Sequence, residues 1–414
     1  MEHLETNNIL VNFPHGFRKG HSCESQLINT IESLARSLDQ NAEVDMAILD
    51  FSKAFDTVPH QRLLKKLKFY GINGNTLNWR GKWLTSRPQT VIVDGEEFTT
   101  VPVTSGVPQG TVLGPLVFLI YINDIGNNLS EGTHIKLFAD DCLVFRETIT
   151  AQDNTILQKD LDNLTKWANN WQMKFNTDKC HILKITNRRQ SKAFNYTMFG
   201  STLTNVEHHP YLGIEISQNL RWKEHIQMAT NKANRTLGFV RRNLGKCSED
   251  TKKSAYTTLI RPQLEYASSV WDPHYKTEID ELEKVQRRAI RFIKNNHDRT
   301  ASVTSMQNEL KLPNLQQRRQ LSRLTIFYKA VNNQVAVDLP DYMLTSVRET
   351  RSYHQKRFTR LSTRTNTYKY SYNFTDYIRA ERLATEHQRP VHSGVLQDSL
   401  GGLLDVNTRC PCSK

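Results

Sequence analysis

Apolar residues fall along the first half of the chain in short groups of differing period, and those periods predict helices interleaved with buried strands. Between Cys23 and Leu38, the residues Leu27, Ile31, Leu34 and Leu38 recur at the spacing of an amphipathic helix. The run Asp45–Phe51 (DMAILDF) is continuously apolar around its middle, and it predicts a short buried strand whose end carries a carboxylate, Asp50. Pro59-His60 opens a second helix that turns Leu63, Leu64 and Leu67 inward and stops at Gly71. Residues 91–98 (VIVDGEEF) are centred on Asp94-Gly95, a dipeptide suited to a tight hairpin. A loop punctuated by glycine and proline, SGVPQGTVLGP (105–115), leads into an apolar helix over Leu116–Ile122. The stretch HIKLFADDCLVF (134–145) predicts strand, turn and strand, with a doubled aspartate at the turn. Asp153–Trp171 has helical spacing, Lys184–Ile185 and Tyr211–Ile216 have strand character, and the pattern from Trp222 onward is strongly helical.

Composition narrows the class. The 414 residues suggest two or three domains, because single cores seldom grow past about 250 residues. A hydrophobic fraction of 38% is enough for packed cores, which argues against a wholly disordered chain. The densest apolar stretch, Val112–Ile122, is interrupted by Gly114 and Pro115 and falls short of the ~20 residues of a membrane span. The acidic, polar start MEHLETNN does not have the pattern of a secretory signal. Six scattered cysteines form no CxxC pair, so neither a disulfide scaffold nor a zinc ribbon is expected, and a nuclear or cytoplasmic setting fits.

Charge is more informative when divided. The formal net charge is +13, yet residues 1–215 hold 21 Lys+Arg against 23 Asp+Glu, while residues 216–414 hold 34 against 19. The basic excess therefore belongs to the second half, and it points to a polyanion, nucleic acid before membrane. A merely soluble basic surface has the same composition.

Candidate chemistry is sharpest at Asp140-Asp141. Adjacent carboxylates repel one another, and burying them unpaired is costly. A doubled aspartate also suits a solvated turn, but the flanks here are Leu137, Phe138, Leu143 and Val144. Asp50 ends another apolar strand and is a candidate to converge on the same point. Such a set suits a divalent cation shared with substrate phosphates.

Three stretches in this order, DFSKAFDTVPH (50–60), SGVPQGTVLGPLVF (105–118) and FADD (138–141), resemble reverse transcriptases. The similarity is strongest to those of non-LTR retrotransposons of the jockey and chicken-repeat type. HGFRKGHSC (15–23), WLTSRPQTVIVDG (83–95), YLGI (211–214), RPQLEYASSVWDP (261–273) and LEKVQRRAIRFI (282–293) extend the resemblance over roughly residues 5–370. It implies an α+β fold: a right-hand polymerase palm with partial fingers, followed by a helical thumb and a helical C-terminal region. The expected organisation is fingers remnant and palm over 1–215, a basic helical thumb or connection over 216–300, a helical region over 301–372, and an atypical tail over 373–414.

The resemblance also implies roles. Asp50 and Asp140 match the two principal metal-binding aspartates and Asp141 the third carboxylate, with the Phe51 carbonyl completing the shell. The implied cofactor is a pair of Mg2+ ions, with Mn2+ as a substitute. Phe55 matches the residue that excludes a 2′-hydroxyl. Gln109 and Gly110 would touch nucleotide and template, although Pro-Gln-Gly is also an ordinary turn. Lys179, in KFNTDKC, matches a lysine that protonates departing pyrophosphate, or is a surface lysine. Arg18 would reach the template or triphosphate. Tyr211, Leu212 and Gly213 match a primer grip, and a plain core strand would read the same way. The implied partners are an RNA template, a DNA primer and dNTPs.

In the second half, Ile279, Leu282, Val285, Ala289 and Phe292 form one helical stripe, while Lys284, Arg287, Arg288, Arg291 and Lys294 cluster on another face. A cationic face suits phosphate contacts that ignore sequence, and a solvated helix face is the bland alternative. Trp222 and Trp271 suit a core. Relatives precede HGFR with further fingers strands and many carry an endonuclease, so weakened fingers are expected here. The functional expectation is an RNA-directed DNA polymerase using a two-metal nucleotidyl transfer. The alternative is a relic that binds nucleic acid without turnover; a group II intron maturase fits LEYASSVWDP less well.

Overall fold

A seven-residue strand, Val44–Asp50, is the axis of the first unit. Its first six residues are buried, apolar on both faces except for Asp45, whose carboxylate accepts from the Tyr196 hydroxyl at 2.7 Å and pairs with Lys184 at 3.2 Å. Asp141–Glu147 pairs with it antiparallel on one side and His181–Ile185 on the other. Thr133–Phe138 extends the sheet beyond Asp141–Glu147, and Thr204–Val206 closes the far edge in parallel with His181–Ile185. The computed structural model describes residues 2–7, 9–11, 13–188, 191, 194–339 and 363–371. The expected tail over 373–414 lies outside the described residues.

The chain divides into two units, Met1–Gln26 with Gln40–Leu220, and Leu27–Asp39 with Arg221–Lys414. Together they mix helix and sheet, an α+β architecture. In the first unit, Ala47, Leu49 and Phe51 leave one face of the central strand and join a core with Leu63 and Leu67, Val117–Ile122, and Leu157, Leu161 and Leu164. These come from the helices His60–Phe69, Leu113–Ile122 and Ala151–Trp171. The last helix begins with a capping box in which Thr150 and Asp153 satisfy one another's backbone donors.

Two buried polar clusters tie these helices down. Asp160 is fully buried and accepts from the Ser130 amide and hydroxyl (2.9 and 2.8 Å) and the Thr133 hydroxyl (2.6 Å). Lys66, only 3% exposed, pairs with Asp124 at 2.5 Å. Its ammonium lies over the rings of Trp171, Tyr121 and Trp167 at 3.7, 4.9 and 5.2 Å. Burial pushes the Lys66 ammonium down to about 8, and Asp124 opposes that shift. The Trp167 indole donates to the same Asp124 oxygen at 2.8 Å.

One local expectation needs revision, and one helix goes unforeseen. The apolar run at Tyr211–Ile216 is a hairpin, His208–Tyr211 against Ile214–Ser217, with Leu212 (φ 45°) and Gly213 (φ 83°) at its turn. Both turn residues have positive φ, which matches the twist of the flanking strands. A helix at Gly74–Thr85 is also present; its only buried residue is Leu84, so it carries almost no apolar stripe.

The second unit is helical from Lys223 onward among the described residues. Lys223–Leu244 packs along Lys276–Ile293, burying Ile226, Ala233, Leu237 and Val240 on one helix and Leu282, Val285, Ala289 and Ile290 on the other. Trp271 is fully buried, and its indole donates to the Tyr266 carbonyl at 2.8 Å. Asp272 receives the buried Arg319 guanidinium at 2.9 Å.

Lys66→Ala leaves Asp124 without its cation and opens a void among three rings. Unfolding free energy is expected to fall by about 3 kcal/mol, read as a lower urea midpoint. An unchanged midpoint would refute a stabilising role for the pair.

Candidate active site

Strand register brings the aspartates together. Asp50 is the cross-strand partner of Asp141, so their side chains leave the same face of the sheet, opposite the one that carries Ala47 and Leu49 into the core. Asp140 occupies the two-residue turn between Phe138 and Asp141, alongside Ala139. Ala139 has φ 55°, a left-handed conformation that is costly for a residue with a Cβ. The turn is held from outside: the His15 amide donates to the Leu137 carbonyl (2.8 Å) and the Leu137 amide to the Phe13 carbonyl (3.1 Å). Gly16 lies so close that a Cβ there would come within 2.8 Å of the Ala139 nitrogen. HGFR therefore buttresses FADD.

Electrostatics follow from that placement. Partial loss of hydration, then the negative charges of Asp140 and Asp50, push the Asp141 carboxyl up to about 6. Asp141 still touches solvent, so the like-charge component is the part that a cation would reverse. Lys179 Nζ stands 3.4 Å from Asp50 Oδ2. It is delivered by Lys174–Asn176, which runs antiparallel to the end of the central strand: the Ser52 amide donates to Lys174 (2.7 Å) and the Asn176 amide to Asp50 (2.8 Å). Those bonds use the carbonyls of Asp50 and Lys174 and not that of Phe51. The Phe51 ring stacks on Phe175 with centroids 4.1 Å apart.

The three carboxylates are hard oxygen donors whose charges oppose one another, and that chemistry fits a divalent cation. As placed, no group of three or more His, Cys, Asp or Glu among the described residues is gathered closely enough to hold a metal ion. What the structure brings together is the charge and the register, with Asp50 engaged by Lys179.

The loop 105–110 locks onto the segment after Asp50. The Val107 amide donates to the Phe55 carbonyl at 2.7 Å and the Gly106 amide to Val58 at 2.8 Å. Ser105 Oγ donates to the Asp56 carbonyl (2.9 Å), and Gln109 Nε2 donates to Asp56 Oδ1 (3.0 Å). Gly106 has φ 84°, and a Cβ there would meet the Asp56 carbonyl oxygen at 2.7 Å, so only glycine fits. Its own carbonyl pairs with His60 Nε2 (2.8 Å) and accepts from Arg87 (3.1 Å). Gln109 and Gly110 remain exposed. Phe55 stacks on Phe118 at 4.4 Å, and the half-exposed Phe17 meets it edge-on at 6.4 Å.

The family model described as Reverse transcriptase (RNA-dependent DNA polymerase) matches residues 1–216. The chain belongs to the reverse transcriptase family. The RNA-directed DNA polymerase of the mobile element jockey from Drosophila funebris is 27% identical over 299 residues, 70% of this chain and 32% of the relative. Its Drosophila melanogaster counterpart is 27% identical over 336 residues, 76% and 36% of the two chains. A probable RNA-directed DNA polymerase of the Drosophila melanogaster transposon BS is 25% identical over 310 residues, 70% and 33%. The chain thus spans about a third of the length of these relatives.

Other expected site residues of this family member stand differently. Arg18 donates to the Val11 and Pro14 carbonyls at 2.9 and 3.3 Å, bracing its own segment. Tyr211 is buried, and its hydroxyl accepts from Gln26 Nε2 at 3.3 Å. Burial raises its pKa, with the Asp141 charge among the further causes. In the second unit Lys284, Arg287 and Arg288 are exposed. Arg288 donates to Asn234 Oδ1 (3.0 Å), Arg291 donates to the Asp298 and Ala301 carbonyls, and Lys294 pairs with Glu249 and Glu309 at 3.1 and 3.0 Å. Sequence alone does not single out Gly16, Asp56, His60 or Gly106; the neighbouring HGFR, AFD and SGVPQG strings are the available signal. Among the described residues no helix is long and apolar enough to cross a membrane.

A carboxyl raised above its unfolded value binds more protons in the folded state, so Asp141 makes stability fall as pH rises from about 4 to about 6. Removing one neighbouring charge with Asp140→Asn is expected to lower the Asp141 midpoint, followed by carboxyl NMR titration. A midpoint that stays at about 6 would remove Asp140 from the causes and leave burial and the Asp50 charge.

Proposed function

We propose that this chain is an RNA-directed DNA polymerase of the non-LTR retrotransposon type, extending a DNA primer with dNTPs on an RNA template. The observation that carries this reading is the cross-strand register of Asp50 with Asp141 beside Asp140, inside a reverse transcriptase domain. The jockey and BS relatives support it by the activity in their names. The regions take matching roles: fingers and palm within 1–215, a thumb or connection within 216–300, and a further helical region within the described residues 301–339.

The reaction is an in-line displacement. The primer 3′-oxygen forms a bond to the α-phosphorus, the bond from that phosphorus to the β-phosphate oxygen breaks, and the hydroxyl proton passes to solvent water. Pyrophosphate leaves and takes a proton from Lys179 Nζ, which the Asp50 carboxylate holds at the site. Asp50, Asp140, Asp141 and the Phe51 carbonyl would hold two Mg2+ ions, which supply charge neutralisation for the attacking and leaving oxygens. Phe55, backed by Phe118, forms the wall that excludes a 2′-hydroxyl. Gln109 and Gly110 meet the nucleotide, and Arg18 holds the fingers segment that backs the FADD turn. The Tyr211–Gly213 hairpin turn lies against the primer end. Lys284, Arg287 and Arg288 supply sequence-independent phosphate contacts, with Arg291 and Lys294 anchoring the same helix.

Primer extension on an RNA template with Mg2+ tests the chemistry. Asp140→Asn is expected to lower the rate by at least about a hundredfold; equal extension by both chains would sink the mechanism. Salt-sensitive RNA binding without extension by the unsubstituted chain would favour a relic that only binds nucleic acid. Phe55→Val should raise ribonucleotide incorporation by about ten- to a hundredfold, measured as the ratio of kcat/KM for matched nucleotides. Unchanged sugar selectivity would remove Phe55 from that role.

A further inference from the structure

We propose that Asp56 is a positioning residue for Gln109, fixing both the place and the polarity of its side-chain amide at the nucleotide loop. The inference rests on the reading of Gln109 as a nucleotide contact. Asp56 follows directly on Phe55 in the short helix Ala54–Thr57. Three parts of this one residue meet the loop. Its carboxylate accepts from Gln109 Nε2 at 3.0 Å, its carbonyl accepts from Ser105 Oγ at 2.9 Å, and its Cα lies 2.8 Å from where a Gly106 Cβ would stand. The Phe55 carbonyl, one residue earlier, holds the Val107 amide at 2.7 Å. Residues 55 and 56 thus grip 105–109 at successive points, so a displacement of Asp56 moves the loop and the aromatic wall together.

Polarity follows from donor and acceptor chemistry. An ionised carboxylate only accepts, so Gln109 must turn its NH2 toward Asp56. The Oε1 atom and one amide hydrogen are left for other partners, in a defined orientation. A free glutamine side chain presents either end. Both residues are exposed, so a single charge-assisted bond in water has a modest effect and orientation is the larger part of it.

The full chain is compared as wild type, Asp56→Ala, Asp56→Asn, Gln109→Ala and Asp56→Ala with Gln109→Ala. Asp56→Ala is expected to raise KM for dNTP by about three- to tenfold with kcat changed by less than about twofold. Asp56→Asn recovers part of the loss, because its Oδ1 still accepts but its amide also admits the flipped glutamine. Adding Gln109→Ala to Asp56→Ala costs no more than Gln109→Ala alone. A second readout needs no activity: in chain labelled at glutamine side chains, the Gln109 amide signals move to the position of solvated glutamine in Asp56→Ala. An unmoved signal, an unchanged KM, or additive losses in the double variant would overturn the proposal. If the wild-type chain extends no primer, the functional reading fails on its own, and the Gln109 signal alone decides the positioning role.

Discussion

The first unit depends on a like-charge contact that strand pairing enforces. Backbone hydrogen bonds along Val44–Asp50 and Asp141–Glu147 place Asp50 opposite Asp141, and no side-chain adjustment undoes that pairing. The arrangement is unfavourable at neutral pH, as the raised Asp141 shows. Several neighbouring features act as counterweights. Lys179 reaches Asp50, both aspartates keep solvent contact, and the apolar residues behind them bury enough surface to hold the strands in register. Because side chains alternate along a strand, a slip of one residue would send Asp50 to the opposite face and break the core at once.

Around this contact the chain is built by segments that hold one another through main-chain bonds. Phe13–Gly16 backs the FADD turn, Lys174–Asn176 follows the end of the central strand, and loop 105–110 docks on Phe55–Val58. Lys179 and the candidate contact Gln109 are thereby placed by backbone docking, which would suit chemistry where misplacement by an ångström is costly. The glycines at 16 and 106 mark where two backbones approach too closely for any side chain. Lys66, by contrast, works at a distance from the carboxylates, fastening the helices that form the floor behind the sheet.

Much of this is legible in the sequence because local pattern and chemistry coincide. A doubled aspartate between apolar strands, with a third carboxylate closing another apolar run, marks a candidate site by residue type, while the roles of those residues come from the family resemblance. The capping box at Thr150 is likewise a local signal. What escapes is either non-local or masked by residue type. Asp56 meets Gln109 across 53 positions, and no spacing rule connects them. The turn inside Tyr211–Ile216 is hidden because Leu212 is a poor residue for the left-handed conformation it adopts. The helix Gly74–Thr85 leaves no periodic signal because it buries almost nothing. The basic stripe reads as uniform, yet Lys294 is taken up by Glu249 and Glu309, acids that helical periodicity could not bring to it.

The central strand also has a temporal consequence. Its two partners are encoded about a hundred residues or more downstream, so the strand emerges from the ribosome long before either can pair with it. Until residue 147 has been synthesised the seven-residue strand lacks both neighbours, and until residue 185 it lacks one of them. Nascent or interrupted chains ending before residue 141 therefore lack the paired carboxylates, and those ending before residue 181 leave one edge of the strand open to other chains. Translation speed through residues 51–185 sets the length of that interval, making elongation rate a determinant of how much chain reaches the paired state.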